Sequence, residues 1–344
     1  MATSLVRQLL ELSAAHSKAD RAAQNVAALG SYHVGGGGVA VDGVAYGGCP
    51  RKALLRSLGV DSTLDAASEL MTSGGRANEL FWQQRLEVPG SPYLVLNEGD
   101  LHVSWQTGAG SKVSGHPDGF IAVEDLASPV IVQAGRHQGK HVRVLKFIEL
   151  KRVSTAYKAK DYIFSGVPGD DHLMQCAHYS WLLGELQGSP VPVELAYTQD
   201  VKFFCPDWPF MQSAARLRPE LCKMNAKRKA QDLLPNITVY LAKWEETPQG
   251  ARFCWTTERE PDKMTKTAIT VAAIKAFYDQ LDVMAVSKQL SARPADIQLS
   301  TGTKRGWSSC DPKYCEFADT CNSLEHDFEA WLAEARRSKV KVGD

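Results

Sequence analysis

Ser114-Gly115-His116-Pro117-Asp118-Gly119-Phe120 and, thirty residues further on, Phe147-Ile148-Glu149-Leu150-Lys151 decide the reading of this chain. The first is a short glycine-bounded turn that presents one carboxylate. The second closes an alternating apolar run from Val142 to Ile148, the pattern of a buried strand. Residues two apart on a strand share a face, so Glu149 and Lys151 point the same way and Leu150 faces the opposite layer. A carboxylate and an ammonium inside an apolar run are costly unless they are paired or bound to something. A divalent metal with a phosphate would satisfy both: Asp118 and Glu149 would hold the metal, and Lys151 would stand beside the attacking water.

Asp118 followed by Glu149-Leu150-Lys151 resembles the signature of the PD-(D/E)XK nucleases. Gln175 and Tyr179, four apart on the next expected helix, match the additional Gln-x-x-x-Tyr motif of the RecB-like branch. Cys49-Pro50-Arg51-Lys52 near the start, with Cys310, Cys315 and Cys321 near the end, resembles the split cysteine set of the iron–sulfur members, such as the AddB nuclease domain and the CRISPR-associated exonucleases. The resemblance runs from about Cys49 to Cys321.

The resemblance implies a restriction-endonuclease-like α/β fold, a mixed β-sheet core flanked by helices. It implies Mg²⁺ or Mn²⁺ held by Asp118, Glu149 and the backbone carbonyl of Leu150, with Lys151 acting on the water and Gln175 and Tyr179 orienting DNA or the lysine. It also implies a [4Fe–4S] cluster on Cys49, Cys310, Cys315 and Cys321 that clips the two ends of the chain together. Thiolates suit zinc as well, and the three C-terminal cysteines are by themselves one ligand short of a four-thiolate site. The family carries a further metal-ligating histidine on an early helix; Asn78 stands at that position here, and the adjacent Glu79 is the substitute candidate, against a surface glutamate.

The expected function is a metal-dependent deoxyribonuclease, an exonuclease on single-stranded DNA or DNA ends in recombination, repair or phage DNA processing. The alternative is a weakly active or inactive iron–sulfur nucleic-acid-binding subunit of a recombination or CRISPR adaptation complex. The chain carries no helicase P-loop, so an unwinding or recombination partner would be a separate protein.

Composition agrees with an ordinary globular protein: apolar residues make up 44% and charged residues 23%. Lysine plus arginine equals aspartate plus glutamate at 39 each, so any nucleic-acid surface must be a local groove. There is no basic-then-apolar leader and no 18-residue apolar run, which points to a cytoplasmic protein without a membrane partner. Cysteines in that compartment read as metal ligands or buried thiols; Cys176, Cys205, Cys222 and Cys254 are scattered and read as incidental.

Three divisions are expected. Residues 1–48 hold an N-terminal helix over 3–29 and a mobile Gly35-Gly36-Gly37-Gly38 link; 49–325 form the nuclease domain; 326–344 are a helical tail. Cys49 to Leu58 starts a helix with Pro50 in the favoured first position. A second helical region spans 65–87 and breaks at Gly74-Gly75. Strands are expected over 93–106 and 113–124. Hairpins are expected from 129–133 with 141–148, from 191–197 with 201–205, and from 237–244 with 252–256. Arg136, His137 and Lys140 mark the first hairpin tip, either a solvated turn or a phosphate contact. Asp170-Asp171 caps the helix of Gln175 and Tyr179. An insertion over 206–235 contains a basic helix with Arg216, Arg218, Lys223, Lys227, Arg228 and Lys229, either an exposed helix or a lid over a DNA channel. A long helix over 265–290 turns Ile269, Ala273, Ala276, Phe277 and Leu281 inward.

Overall fold

A computed structural model of the chain describes residues 30–41, 44–59, 66–153, 159–198, 212–231, 237–287, 290, 317 and 321. The described residues divide into two compact units, one made of 77–103 and 116–270, the other of 30–76, 104–115 and 271 onward. The boundaries at 49 and 325 expected from the sequence do not coincide with this division. Among the described residues no helix is long and apolar enough to cross a membrane.

The first unit is a mixed α/β layer. Its seven-stranded sheet has the order β12-β11-β10-β9-β8-β7-β4. The strands are β4 (Leu94–Asn97), β7 (Gly119–Glu124), β8 (Val142–Arg152), β9 (Val193–Thr198), β10 (Ile237–Glu245), β11 (Arg252–Thr257) and β12 (Thr265–Lys266). Only β8 and β9 run parallel; every other neighbouring pair is antiparallel. A parallel pair needs a crossover, and the helix between these two strands supplies it. It runs over Asp170–Gln187, with Gly169 at its N-cap and Gly188 at its C-cap in the left-handed region at φ 74°. Asp170 and Asp171 sit in its first turn, where Asp171 Oδ1 accepts the His172 N–H at 3.0 Å and both carboxylates act on the exposed amide dipoles. β8 is an interior strand between β9 and β7, and Val142, Val144, Phe147, Ile148 and Leu150 are all buried. From Phe147 to Leu150 successive residues are buried, so both faces of the strand are covered there, and Glu149 is enclosed with them.

The second unit holds a three-stranded sheet of order β1-β6-β5, with β1 (Ser31–His33), β5 (Val103–Gln106) and β6 (Lys112–Gly115), and a hairpin of β2 (Gly38–Val41) with β3 (Val44–Gly47). Helix α1 (Pro50–Ser57) and the helix Val271–Ser287 pack with it. Its core includes Tyr32, Leu54, Leu55, Val113, Tyr278 and Leu281. Numbered in chain order, α2 is Ala66–Leu86, α3 the crossover helix Asp170–Gln187, α4 Gln212–Lys229 and α5 Val271–Ser287.

Several expectations need correcting. The glycine run is no mobile link: Val34–Gly36 is a 3₁₀ turn and Gly38 begins β2. A β-carbon on Gly37 would lie 2.8 Å from the Tyr278 hydroxyl, and one on Gly38 would collide with the Gly48 carbonyl. These glycines are there for close backbone approach, not for freedom. α2 runs unbroken through Gly74-Gly75, since each glycine weakens a helix by only about 1 kcal/mol relative to alanine. The stretch 93–106 is two strands in different sheets, separated by a turn at Gly99-Asp100. Residues 129–133 do pair antiparallel with the start of β8, around the Ile131–His141 bridge and through Val142 N–H to Val130 and Val132 N–H to Lys140, but the pairing is too short to form a strand of its own. α5 starts only at Val271, with Ala276 exposed, and turns Ile274, Phe277, Tyr278, Leu281, Asp282 and Met284 inward. The expected helix over 3–29, the strand over 201–205, the loop 206–211 and the tail 326–344 lie outside the described residues.

Candidate active site

Asp118 stands immediately before β7, and Glu149, Leu150 and Lys151 lie in the second half of β8. The register Gly119↔Ile148 sets the two segments side by side. Two side chains pin the turn that carries Asp118. Gln83 of α2 donates to the Asp118 carbonyl at 2.7 Å, and the Tyr179 hydroxyl of α3 donates to the His116 carbonyl at 3.1 Å. The Asp118 carboxylate then accepts the Leu150 N–H at 3.0 Å through Oδ2. The same oxygen is 3.7 Å from the Lys151 ammonium.

Glu149 and Lys151 do share a face, and the Lys151 ammonium lies directly against Glu149 Oε1. Glu149 is fully buried. α3 covers that face, with Tyr179 packed edge-on against Phe147 at 5.5 Å. Among the described residues neither Glu149 oxygen accepts a hydrogen bond of good geometry, so the contact with Lys151 is one of charge more than of direction. Buried polar atoms left in this condition are uncommon and costly. Burial, and then the Asp118 carboxylate beside it, push the Glu149 carboxyl up to about 8, against the pull of Lys151. Burial alone would lower the Lys151 ammonium, but Glu149 and Asp118 outweigh it and hold Lys151 firmly protonated.

Two carboxylates and one ammonium thus meet at one place, with the second oxygen of Glu149 unsatisfied. These are hard oxygen donors, and they fit a divalent cation such as Mg²⁺ or Mn²⁺. Glu79 is half-buried one helical turn before Gln83, on the stripe of α2 that reaches the Asp118 backbone. Asn78 accepts the Thr198 hydroxyl through Oδ1 at 3.3 Å, and its buried Nδ2 finds no partner among the described residues.

Gln175 is half-buried on α3, one turn before Tyr179. Tyr179 is fully buried, so the expectation that it orients DNA gives way to a positioning role on the His116 carbonyl. Reading the motif as a spacing could not show this, because the spacing places Tyr179 on the face of α3 without saying how deep that face lies. Three neighbours were not legible as site residues: Gln83, the buried thiol of Cys176, and Tyr197. Burial and then Glu149 raise the Cys176 thiol well above its ordinary value, so it is a neutral thiol. Tyr197 pairs with Lys151 across the parallel β8–β9 ladder. Only the strand register brings it there.

Of the basic elements, the hairpin tip agrees with one of its two expected readings and Arg228 departs from expectation. At the tip around Gly135, Arg136 pairs with Glu87 at 2.8 Å and Lys140 with Glu124 at 2.9 Å, as a solvated turn would. On α4, Lys223, Lys227 and Lys229 are exposed, but Arg228 is buried and does not belong to the patch. It donates to the Ile237 carbonyl and to Glu258 at 3.0 Å, which fastens the end of α4 to the start of β10 and the end of β11.

In the other unit, Cys49 is the N-cap of α1 and Cys321 is half-buried against the same helix. Leu55 of α1 and Leu58 at its C-cap pack with Leu290, Phe317 and Cys321, and Arg51 donates to Cys321 Sγ at 3.4 Å. Two of the four expected thiols therefore flank one short helix. Cys310 and Cys315 lie outside the described residues. Comparison of the sequence with protein-family models and with curated proteins finds no match.

Proposed function

We propose that the chain is a metal-dependent nuclease of the PD-(D/E)XK type that hydrolyses phosphodiester bonds in DNA. The observation that carries this reading is the fully buried Glu149 carboxylate, unsatisfied and beside Asp118, with the Lys151 ammonium between them. Perturbed carboxylates of this kind cluster at functional sites.

Asp118 and Glu149, with Glu79 and the Leu150 carbonyl as further oxygens, would hold Mg²⁺ or Mn²⁺. A bound divalent ion lowers the pKa of its water and neutralises charge that develops on the phosphate. The rest is the work of the chain. Lys151, kept protonated by its two carboxylates, donates to the attacking water or to a phosphate oxygen as negative charge develops. Tyr179 and Gln83 hold the Asp118 turn in register with β8, so that the carboxylates meet without reorganisation. The exposed lysines of α4 would offer a nucleic-acid backbone sequence-independent contacts.

The half-buried thiols of Cys49, at the N-cap of α1, and of Cys321, packed against that helix, fit a thiolate-bound group, and with Cys310 and Cys315 they would hold a [4Fe–4S] cluster as a clip between the chain ends. Protein purified without oxygen is expected to be brown with about four irons per chain. Colourless protein with stoichiometric zinc would overturn the cluster and leave the nuclease reading intact.

One observation favours a second reading, an inactive nucleic-acid-binding subunit: Asn78, at the position of the family's histidine, is engaged with Thr198. An oligonucleotide assay in Mn²⁺, with single-stranded and duplex ends labelled at either terminus, separates the two. Binding without any cleavage would favour the second.

A further inference from the structure

The cationic side chains of α1 are Arg51, Lys52 and Arg56, and the fold treats them differently. Arg56 is exposed and Lys52 half-buried, whereas Arg51 is only 6% exposed. A guanidinium taken that far out of water is costly unless negative charge or good acceptors meet it. Arg51 and Leu55 are four apart and share a face of the helix. That face meets the turn from Phe317 to Cys321, which the Cys321 N–H closes by donating to the Phe317 carbonyl at 2.7 Å. Leu55 packs with the buried Phe317, and Arg51 Nη1 donates to Cys321 Sγ at 3.4 Å. Cys49 stands at the N-cap, so the guanidinium leaves the same first turn whose start carries a candidate ligand.

A thiol sulfur is a weak acceptor, whereas a guanidinium is a donor suited to charged acceptors. Sulfur bound to a metal is such an acceptor. Four thiolates around Zn²⁺, or around a [4Fe–4S] core, leave a dianion. Leu55, Leu58, Leu290 and Phe317 make the surroundings of Cys321 apolar. Little water is there to screen the attraction between that negative charge and a guanidinium, so one buried arginine counts for more than an exposed one. Arg56, out in solvent, cannot do the same.

We infer that Arg51 is the counter-charge of the thiolate-bound group on α1. Its guanidinium holds Cys321 Sγ through a charge-assisted N–H···S bond, slows loss of the group and eases uptake of an electron by it. Arg51 is a positioning residue and not a ligand, since a guanidinium has no acceptor site to offer a metal. On reduction one electron enters the group and no atom is gained or lost. The fixed positive charge stabilises the added negative one, so the arginine raises the reduction potential. The inference rests on the reading of Cys49, Cys310, Cys315 and Cys321 as ligands of one group, and the experiment keeps the two apart.

The test uses the full chain purified without oxygen. Arg51→Lys keeps the charge, Arg51→Gln keeps a donor without the charge, and Arg51→Met keeps only an apolar stem. Metal content, the visible spectrum and the melting temperature establish whether each variant is loaded and folded. With iron bound, the midpoint potential is read by titration with dithionite. Arg51→Gln and Arg51→Met are expected to shift the equilibrium about tenfold toward the oxidised form at a fixed potential, the scale of one lost hydrogen bond to a charged group and about 59 mV for one electron. Arg51→Lys is expected to keep most of the wild-type value. With zinc bound instead, loss of metal to a chromogenic chelator is expected to quicken about tenfold in the two neutral variants and little in Arg51→Lys. Neutral variants that fail to load while Arg51→Lys loads would support the same conclusion. Loaded neutral variants with the wild-type potential or release rate would overturn the inference. So would an Arg51→Lys protein as impaired as Arg51→Met, or failure of all three to fold, either of which would mark a packing role. Wild-type protein with neither iron nor zinc in stoichiometric amount would remove the thiolate-bound group itself and leave the nuclease reading intact.

Discussion

Asp282 and Glu149 are buried carboxylates of different units, and they are treated in opposite ways. Asp282, on α5, accepts the Tyr32 hydroxyl at 2.8 Å, the Ser111 hydroxyl at 2.6 Å and the Thr107 hydroxyl. Three neutral donors replace the water it lost, and they tie α5 to β1 and to the turn between β5 and β6. Glu149 has no such shell. Its neighbours are a second carboxylate and one ammonium, and its second oxygen accepts nothing among the described residues. The first arrangement is how a fold keeps a carboxylate for structure. The second stores unfavourable energy, which a bound cation would relieve.

The sharpest way to break this comparison is Glu149→Gln. Cleavage in Mn²⁺ is expected to fall by about three orders of magnitude or more, the scale of a lost electrostatic group in a water-poor site. Its stability in chelator is expected to hold below about pH 8, where the folded carboxyl is protonated, and to rise relative to wild type above it, where the swap removes a buried like-charge contact with Asp118. The pH dependence follows the same logic. The folded carboxyl sits at about 8, above its unfolded value, so the folded state binds the extra proton. Wild-type stability in chelator should therefore decline as pH rises from near the ordinary carboxylate value to about 8, and the decline should flatten in Glu149→Gln. Thermal melts across that range check both. A variant that cuts at the wild-type rate would end the active-site assignment.

Asp282→Ala is the mirror test, with the next largest effect. It leaves three buried hydroxyls without their acceptor, and a loss of about 2–4 kcal/mol is expected. Denaturant melts would measure it. A loss below about 0.5 kcal/mol would mean that the hydroxyl shell is incidental.

Tyr179→Phe is the smallest. It removes one hydrogen bond, to the His116 carbonyl, and about 1 kcal/mol of stability is expected. Because that bond steadies the Asp118 turn, a fall of a few-fold in kcat with KM unchanged is expected as well. A change in KM alone would point instead to a DNA contact, which the burial of Tyr179 argues against.

The stretches quoted first were the most legible part of the chain. Period-two patterning placed Glu149 and Lys151 on one face, and a Pro-Asp-Gly turn placed a carboxylate before the next strand. The helix after Cys49 and the hairpin of β10 with β11 were equally plain, because their signals are local: proline at the first helical turn, and alternation on both sides of a short polar connection. The errors fell where the signal was not local. Gly35 to Gly38 reads as a flexible run, yet in the structure it is packed against Tyr278 and Gly48. Arg228 reads as one more charge in a basic helix, yet it is buried.

Sequence alone determined which residues can carry chemistry here, and which of them share a strand or a helix face, because both follow from residue type and from periods of 2 and 3.6. Depth and partnership were decided only by the tertiary structure. α3 crosses over the face that holds Phe147, Glu149 and Lys151, and this crossing makes Glu149 dry, turns Tyr179 into a strut and sets Tyr197 between Lys151 and His172. The physical reason is that a carboxyl's pKa and a hydrogen bond's partner depend on what arrives from distant parts of the chain, and no local period encodes that.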